Sequence, residues 1–117
     1  MKYACLVYVD PAQMAALSEA EGTALTDAAI DYDGELRQRG HLVYAQALQD
    51  PQTAVTVRVR NGKMSSTDGP FAETKECLAG FMLIEAKDLN EAVQLAAAAP
   101  MARFTIEVRP FLELTHS

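Results

Sequence analysis

The sequence has no apolar run approaching the roughly 18 to 20 residues needed to cross a bilayer. Its Met1-Lys2-Tyr3 start leads straight into a strand-like run, without an apolar leader or a small-residue cleavage site. A soluble, cytoplasmic protein without a membrane partner is expected. Cysteine is scarce: Cys5 and Cys77 both lie within apolar runs, where a free thiol behaves as a small buried hydrophobe. A disulfide framework is therefore not expected. Histidine is equally scarce, with only His41 and His116, and no Cys or His pair stands at metal-ligand spacing. Neither a metal nor a cofactor is expected, and a Gly-rich phosphate loop is absent. Ten Lys and Arg face sixteen Asp and Glu, a net charge of −6, so the surface repels phosphate backbones and anionic lipid. Direct nucleic-acid binding is not expected on that ground. With no internal repeat, low-complexity segment or linker, the 117 residues read as a single domain, 1–117.

What is present is a regular alternation of strand and helix signals. Lys2 to Val9 is almost wholly apolar and rich in Tyr and Val, and Asp10-Pro11 ends it, as in a strand buried on both faces. Ser18-Glu19-Ala20-Glu21 has capping-box spacing. Leu25, Ala28, Ala29, Tyr32 and Leu36 then recur at helical spacing, with Gly40 placed to cap the end. A strand follows from His41 to Leu48. Val55, Val57 and Val59 alternate with Thr56, Arg58 and Arg60 before Asn61-Gly62, the pattern of a strand with one dry face entering a type I′ hairpin that returns over Lys63 to Thr67. Leu78 to Ile84 is the second continuous apolar run. Asp88 to Glu91 repeats the capping-box spacing, the Ala-rich stretch to Ala99 reads as a helix stopped by Pro100, and Phe104, Ile106 and Val108 alternate in a last strand.

This order, β-α-β-(ββ)-β-α-β, predicts an α+β ferredoxin-like split βαβ fold with an inserted hairpin. The two wholly apolar strands are those that such a fold places side by side at the centre of its sheet. Two helices cover only one face of that sheet, so an isolated chain would expose an apolar patch of a kind monomers seldom carry. A homodimer is predicted.

The stretch from Thr67 to Glu76 concentrates turn formers, acids and a lysine. Asp68 suits a side-chain bond to the backbone two residues on, Gly69 admits dihedrals closed to other residues and Pro70 fixes its own φ. Phe71 is expected to anchor this stiff loop to the core. Turn geometry alone accounts for Asp68-Gly69-Pro70, and a solvated charged face accounts for Glu73, Lys75 and Glu76. A functional reading gives catalytic roles to Asp68, Lys75 and Glu76, with Asp68 or Glu76 as base and Lys75 stabilising developing negative charge. Ligand-binding roles fall to Tyr8, Asp68, Phe71, Glu73 and Lys75. Tyr8, Tyr32 and Tyr44 sit on core elements with hydroxyls free to reach a polar edge; His41, past a helix C-terminus, reads as a surface residue.

The string Asp68-Gly69-Pro70-Phe71-Ala72-Glu73-Thr74-Lys75-Glu76 resembles the signature of the DGPF group within the YCII-related family. Met1-Lys2-Tyr3, Val57 to Lys63, Gly80-Phe81 and Ile106 to Pro110 extend the resemblance over essentially the whole chain. It implies a ferredoxin-like domain of the dimeric α+β barrel type. The YCII branch is suspected of enzymatic activity because of a His and an Asp. This chain departs from that pattern, with Ala99-Pro100 where that branch has Asp-Pro, so no His-Asp dyad carries over. The DGPF group also resembles domains fused to sigma-factor-like transcription proteins, which implies a partner or sensor role.

Three functions follow. The first is a small-molecule binding or sensing domain with a polar rim near the Asp-Gly-Pro-Phe loop. The second is an enzyme of proton-transfer, lyase or isomerase type. The third is an interaction module for a sigma-factor-like protein, which an acidic surface suits if the partner is basic.

Overall fold

The computed structural model describes residues 1–116. Its elements run β1 (Lys2–Val9), α1 (Pro11–Ala15), α2 (Glu19–Gln38), β2 (Leu42–Ala47), β3 (Val55–Arg60), β4 (Lys63–Asp68), β5 (Cys77–Glu85), α3 (Leu89–Ala97) and β6 (Thr105–Pro110). Single turns of 3-10 helix occupy Pro51–Thr53 and Pro100–Arg103. Four strands form one antiparallel sheet in the order β2-β5-β1-β6, and β3 and β4 pair only with each other. This is the α+β, ferredoxin-like split βαβ fold of the dimeric α+β barrel type, with the hairpin inserted between β2 and β5. No helix among the described residues is long and apolar enough to cross a membrane.

Local chemistry sets the helix ends. The Ser18 hydroxyl accepts from the Glu21 amide at 3.1 Å while Glu21 Oε1 accepts from the Ser18 amide at 3.0 Å, the reciprocal capping box that the spacing predicts. At the other end Gly40, with φ of +79°, lets the His41 amide reach the Leu36 carbonyl at 2.8 Å and its own amide reach Arg37 at 3.1 Å; a left-handed glycine here satisfies carbonyls that the helix leaves open. His41 Nδ1 then lies 2.8 Å from the Glu85 carbonyl oxygen, so the imidazole ties the helix exit to the end of β5. The Asp88 carboxylate caps α3 by accepting from the Glu91 amide. Glu91 reaches back to the Lys87 amide, one residue earlier than in a strict capping box.

Asp10-Pro11 does more than stop a strand. Asp10 Oδ1 accepts from the Ala12 amide at 2.9 Å and Pro11 occupies the first turn of α1, a short helix absent from the sequence reading. Asp at the cap followed by Pro in the first turn is itself a helix-start signal.

The sheet divides its side chains by the period of two. Tyr3, Cys5, Val7 and Val9 of β1 point toward the helices, with Met82 and Ile84 of β5 beside them in register. They form the core with Leu36, Ala92, Leu95, Ala96 and Ala99. Burial pushes the Cys5 thiol up to about 11, consistent with an inert packing cysteine. Ala4, Leu6 and Tyr8 pair with Leu83, Phe81 and Leu78 on the opposite, open face, and Tyr44 of β2 stands beside Leu83. Both central strands are thus apolar on both faces, but only one face is covered by the chain's own helices.

Two expectations about the hairpin segment are corrected. The turn itself is as predicted, with positive φ at both Asn61 and Gly62. Its valine face, however, is not dry: Val57 is 61 % exposed and Val55 and Val59 match it, because the ribbon projects beyond the sheet with no helix laid over it. The molecule is accordingly flat, 48 × 47 × 19 Å. Phe71, expected to anchor the loop, is 79 % exposed. Gly69 has φ of +97°, and hydrogen bonds to its own backbone hold the loop instead: the Gly69 amide donates to the Ala54 carbonyl at 2.7 Å and the Thr56 hydroxyl donates to the Gly69 carbonyl at 2.9 Å.

Gly80 marks a close backbone approach between β5 and β2. A Cβ there would stand 2.8 Å from the Gln46 carbonyl oxygen and 3.2 Å from the Ala47 Cα, both backbone atoms with little room to move. Gly80→Ala is expected to destabilise the chain by about 1–3 kcal/mol, read as a lowered midpoint in urea unfolding; an unchanged midpoint contradicts this account of β2–β5 packing.

Candidate functional site

Two hollows lie at the same end of the sheet. The first is an apolar cleft of about 480 Å³ between α2 and the sheet, walled by Val7, Val9, Leu25, Ala29, Met82 and Met101, with Met14 and Leu48 at its mouth. Its origin is legible in α2. Leu25 and Leu36 are the helix's two buried residues and hold it against the sheet, while Ala29 between them is too short to fill the gap beneath. Ile30, the next residue, also borders the cleft but is 63 % exposed and leaves it unfilled. The Tyr32 hydroxyl donates to the Leu95 carbonyl at 2.6 Å, fixing α2 to α3 along one side of the opening.

One carboxyl enters this apolar lining. Asp33 is partly buried, and desolvation raises its pKa above the ordinary aspartate value, with the nearby Arg37 charge opposing the rise. Asp33 was not among the residues singled out by sequence. The signal was its place four residues after Ala29, on the same helical stripe.

The second hollow is a polar recess of about 550 Å³ where β1 ends and β5 begins, lined by Tyr8, Asp10, Gln13, Thr74, Lys75 and Glu76. Three of the sequence candidates, Tyr8, Lys75 and Glu76, therefore share one site. Glu76 Oε1 accepts from Thr105 Oγ1 at 2.8 Å, which aims the carboxylate along the sheet edge. The remaining candidates do not line it: Asp68 ends β4 on an exposed ribbon, and Phe71 and Glu73 are exposed in the loop that follows. Asp68 makes no side-chain bond to the backbone among those of the described residues, so the expected Asx turn is replaced by the Gly69–Ala54 bond. Asp10 and Gln13 join the recess because of the unforeseen α1. Among the described residues no group of three or more His, Cys, Asp and Glu is arranged to hold a metal ion.

Comparisons with known proteins agree with this architecture. An uncharacterised protein of Rhizobium meliloti (strain 1021), R00369, is 34 % identical over 113 residues, covering 94 % of this chain and 91 % of its own length. Among solved structures, 5-chloro-2-hydroxyhydroquinone dehydrochlorinase (TftG) of Burkholderia phenoliruptrix AC1100, in complex with 2,5-dihydroxybenzoquinone, superposes with a TM-score of 0.56 over 96 % of this chain and 94 % of its own. At 13 % identity that likeness concerns the fold alone. The model of the YCII-related domain matches residues 1–115, and the chain belongs to the YCII-related family.

Proposed function

We propose that the chain is a cytoplasmic, homodimeric domain that binds or senses a small molecule in the cleft between α2 and the sheet, with a second, polar site near the Asp68-Gly69-Pro70-Phe71 loop at Lys75. The cleft carries the reading: it is apolar, of ligand size, and receives one partly desolvated carboxyl, the combination that gives a pocket both affinity and orientation. A ring-sized molecule with a donor or cationic group facing Asp33 suits it, and 2,5-dihydroxybenzoquinone, bound by the TftG fold neighbour, is of that size class. Proton transfer at Asp33 is the second reading, favoured by its raised pKa, since a carboxyl shifted toward neutrality exchanges protons more readily at working pH. No feature of the described residues favours a sigma-factor-like partner.

The homodimer rests on the open sheet face. Ala4, Leu6, Leu78, Phe81 and Leu83 form an apolar strip beside the rim residues Glu107 and Arg109 of β6. A two-fold axis brings such a strip onto itself and sets the acid of one rim against the base of the other.

Three outcomes are expected. Small aromatic amines and phenols should raise the melting temperature of the wild type, and Ala29→Phe, which fills the cleft, should abolish that rise; no stabilisation by any of them, or retention of the rise in the filled variant, counts against the cleft. Sedimentation velocity at micromolar concentration should give a dimer that Leu6→Arg converts to monomer, and a monomeric wild type removes the dimer. For Asp33 the sign follows from desolvation: a raised folded-state pKa means that the fold favours the neutral carboxyl. That contribution is fully present below the unfolded pKa and is lost as pH rises through the folded value. Asp33→Asn should therefore be slightly more stable than wild type at pH 7, by less than about 1 kcal/mol after solvent screening, with the gap closing in acid; urea unfolding in neutral and acidic buffer reads both.

A further inference from the structure

The polar recess contains charges that do not satisfy one another. Asp10 is only 8 % exposed, and its Oδ1 is committed to the Ala12 amide while its other oxygen has no partner among the described residues. Glu76 is likewise held through one oxygen, Oε1, by Thr105. Lys75 lines the same hollow and forms no ion pair among the described residues, whose two salt bridges are Met1–Glu85 and Glu35–Arg39. Two carboxylates, each oriented by a neutral donor, thus share a recess with an ammonium group that pairs with neither.

This composition selects by charge pattern. A simple anion attracted to Lys75 would meet Asp10 and Glu76, and a simple cation attracted to the acids would meet Lys75. Only a molecule carrying both signs close together gains from all three groups, because hydrogen bonds to ionised partners are the strong ones. We propose that the recess binds a small zwitterion of the free amino-acid type, its ammonium on Asp10 and Glu76 and its carboxylate on Lys75. Tyr8 and Gln13, which also line the recess, supply the neutral contacts. The proposal rests on the recess being a site, and does not depend on what fills the apolar cleft. Tyr8 belongs to the open sheet face, so a second copy packed on that face would roof the recess at its rim.

Isothermal titration calorimetry of the full chain with free amino acids, their N-acetyl derivatives and their methyl esters tests it. At least one free amino acid should bind, and blocking either its amine or its carboxyl should weaken binding about 10-fold or more. Asp10→Asn, which keeps a capping side chain for α1, and Lys75→Met should each cause a similar loss with unchanged circular dichroism. Ala29→Phe should bind as the wild type does, which separates the recess from the cleft. The proposal is overturned if no free amino acid binds at concentrations on the order of 10 mM, if blocked and free forms bind alike, or if Asp10→Asn and Lys75→Met leave affinity unchanged.

Discussion

Everything in this molecule depends on the antiparallel pairing of β1 with β5. Tyr3 faces Ile84 and Cys5 faces Met82 across it, and Tyr3, Cys5 and Ile84 are among the largest fully buried side chains. Burying such side chains contributes roughly 1.5–3 kcal/mol each, enough to make this pair the seat of the core. The two helices that follow these strands must then pack on the same face. The alternate residues of the same two strands, Leu6 with Phe81 and Ala4 with Leu83, are thereby consigned to the other face. One constraint thus produces both the core and the unpartnered surface.

The same pairing places the two hollows. A bulge between Val7 and Tyr8 skips Ala79 in the register, so Tyr8 meets Leu78 and Val9 meets Cys77. Val9 remains on the helix side, where it walls the cleft, and Tyr8 remains on the open side, where it enters the recess. The two sites therefore draw neighbouring residues of β1 from opposite faces of the sheet. They differ in chemistry because α2 roofs one with alanine and leucine, whereas the loop from Thr74 to Glu76 rims the other with charge.

Much of the fold was legible because hydrophobic periodicity records burial, and burial dominates here. The continuous runs at Lys2–Val9 and Leu78–Ile84, the Ser18 capping box, Gly40 and Asn61-Gly62 each have a local physical reason that survives in the structure. What escaped was whatever required knowing what lies opposite. The valines of β3 show an alternating pattern, but alternation cannot name the surface that would cover them. Phe71 is large and apolar, yet the loop is fixed through the Gly69 backbone, by Ala54 and by the Thr56 hydroxyl. Asp10 read as a strand stop because Asp-Pro serves equally as a break and as a helix start. Asp33 is not singled out by its residue type, although its stripe runs through Ala29 to the cleft.

The candidate site shows the same division between what backbone geometry demands and what side-chain chemistry permits. Asp68-Gly69-Pro70-Phe71 is the most recognisable string in the chain, and its recognisability is conformational: a glycine at φ of +97° followed by proline turns the chain from the projecting hairpin back toward the sheet. Such a turn needs those residue types whether or not anything binds nearby. The next residues carry no comparable backbone requirement. Lys75 is neither a turn former nor a core residue, and Glu76 precedes a strand whose own pairing begins at Cys77. Once the turn has swung the chain around, these two arrive beside Asp10, at the far end of β1, from a distant part of the sequence. The identifying loop thus acts as the elbow that brings charged side chains to the sheet edge, and the chemistry available to the site lies in the residues just beyond it.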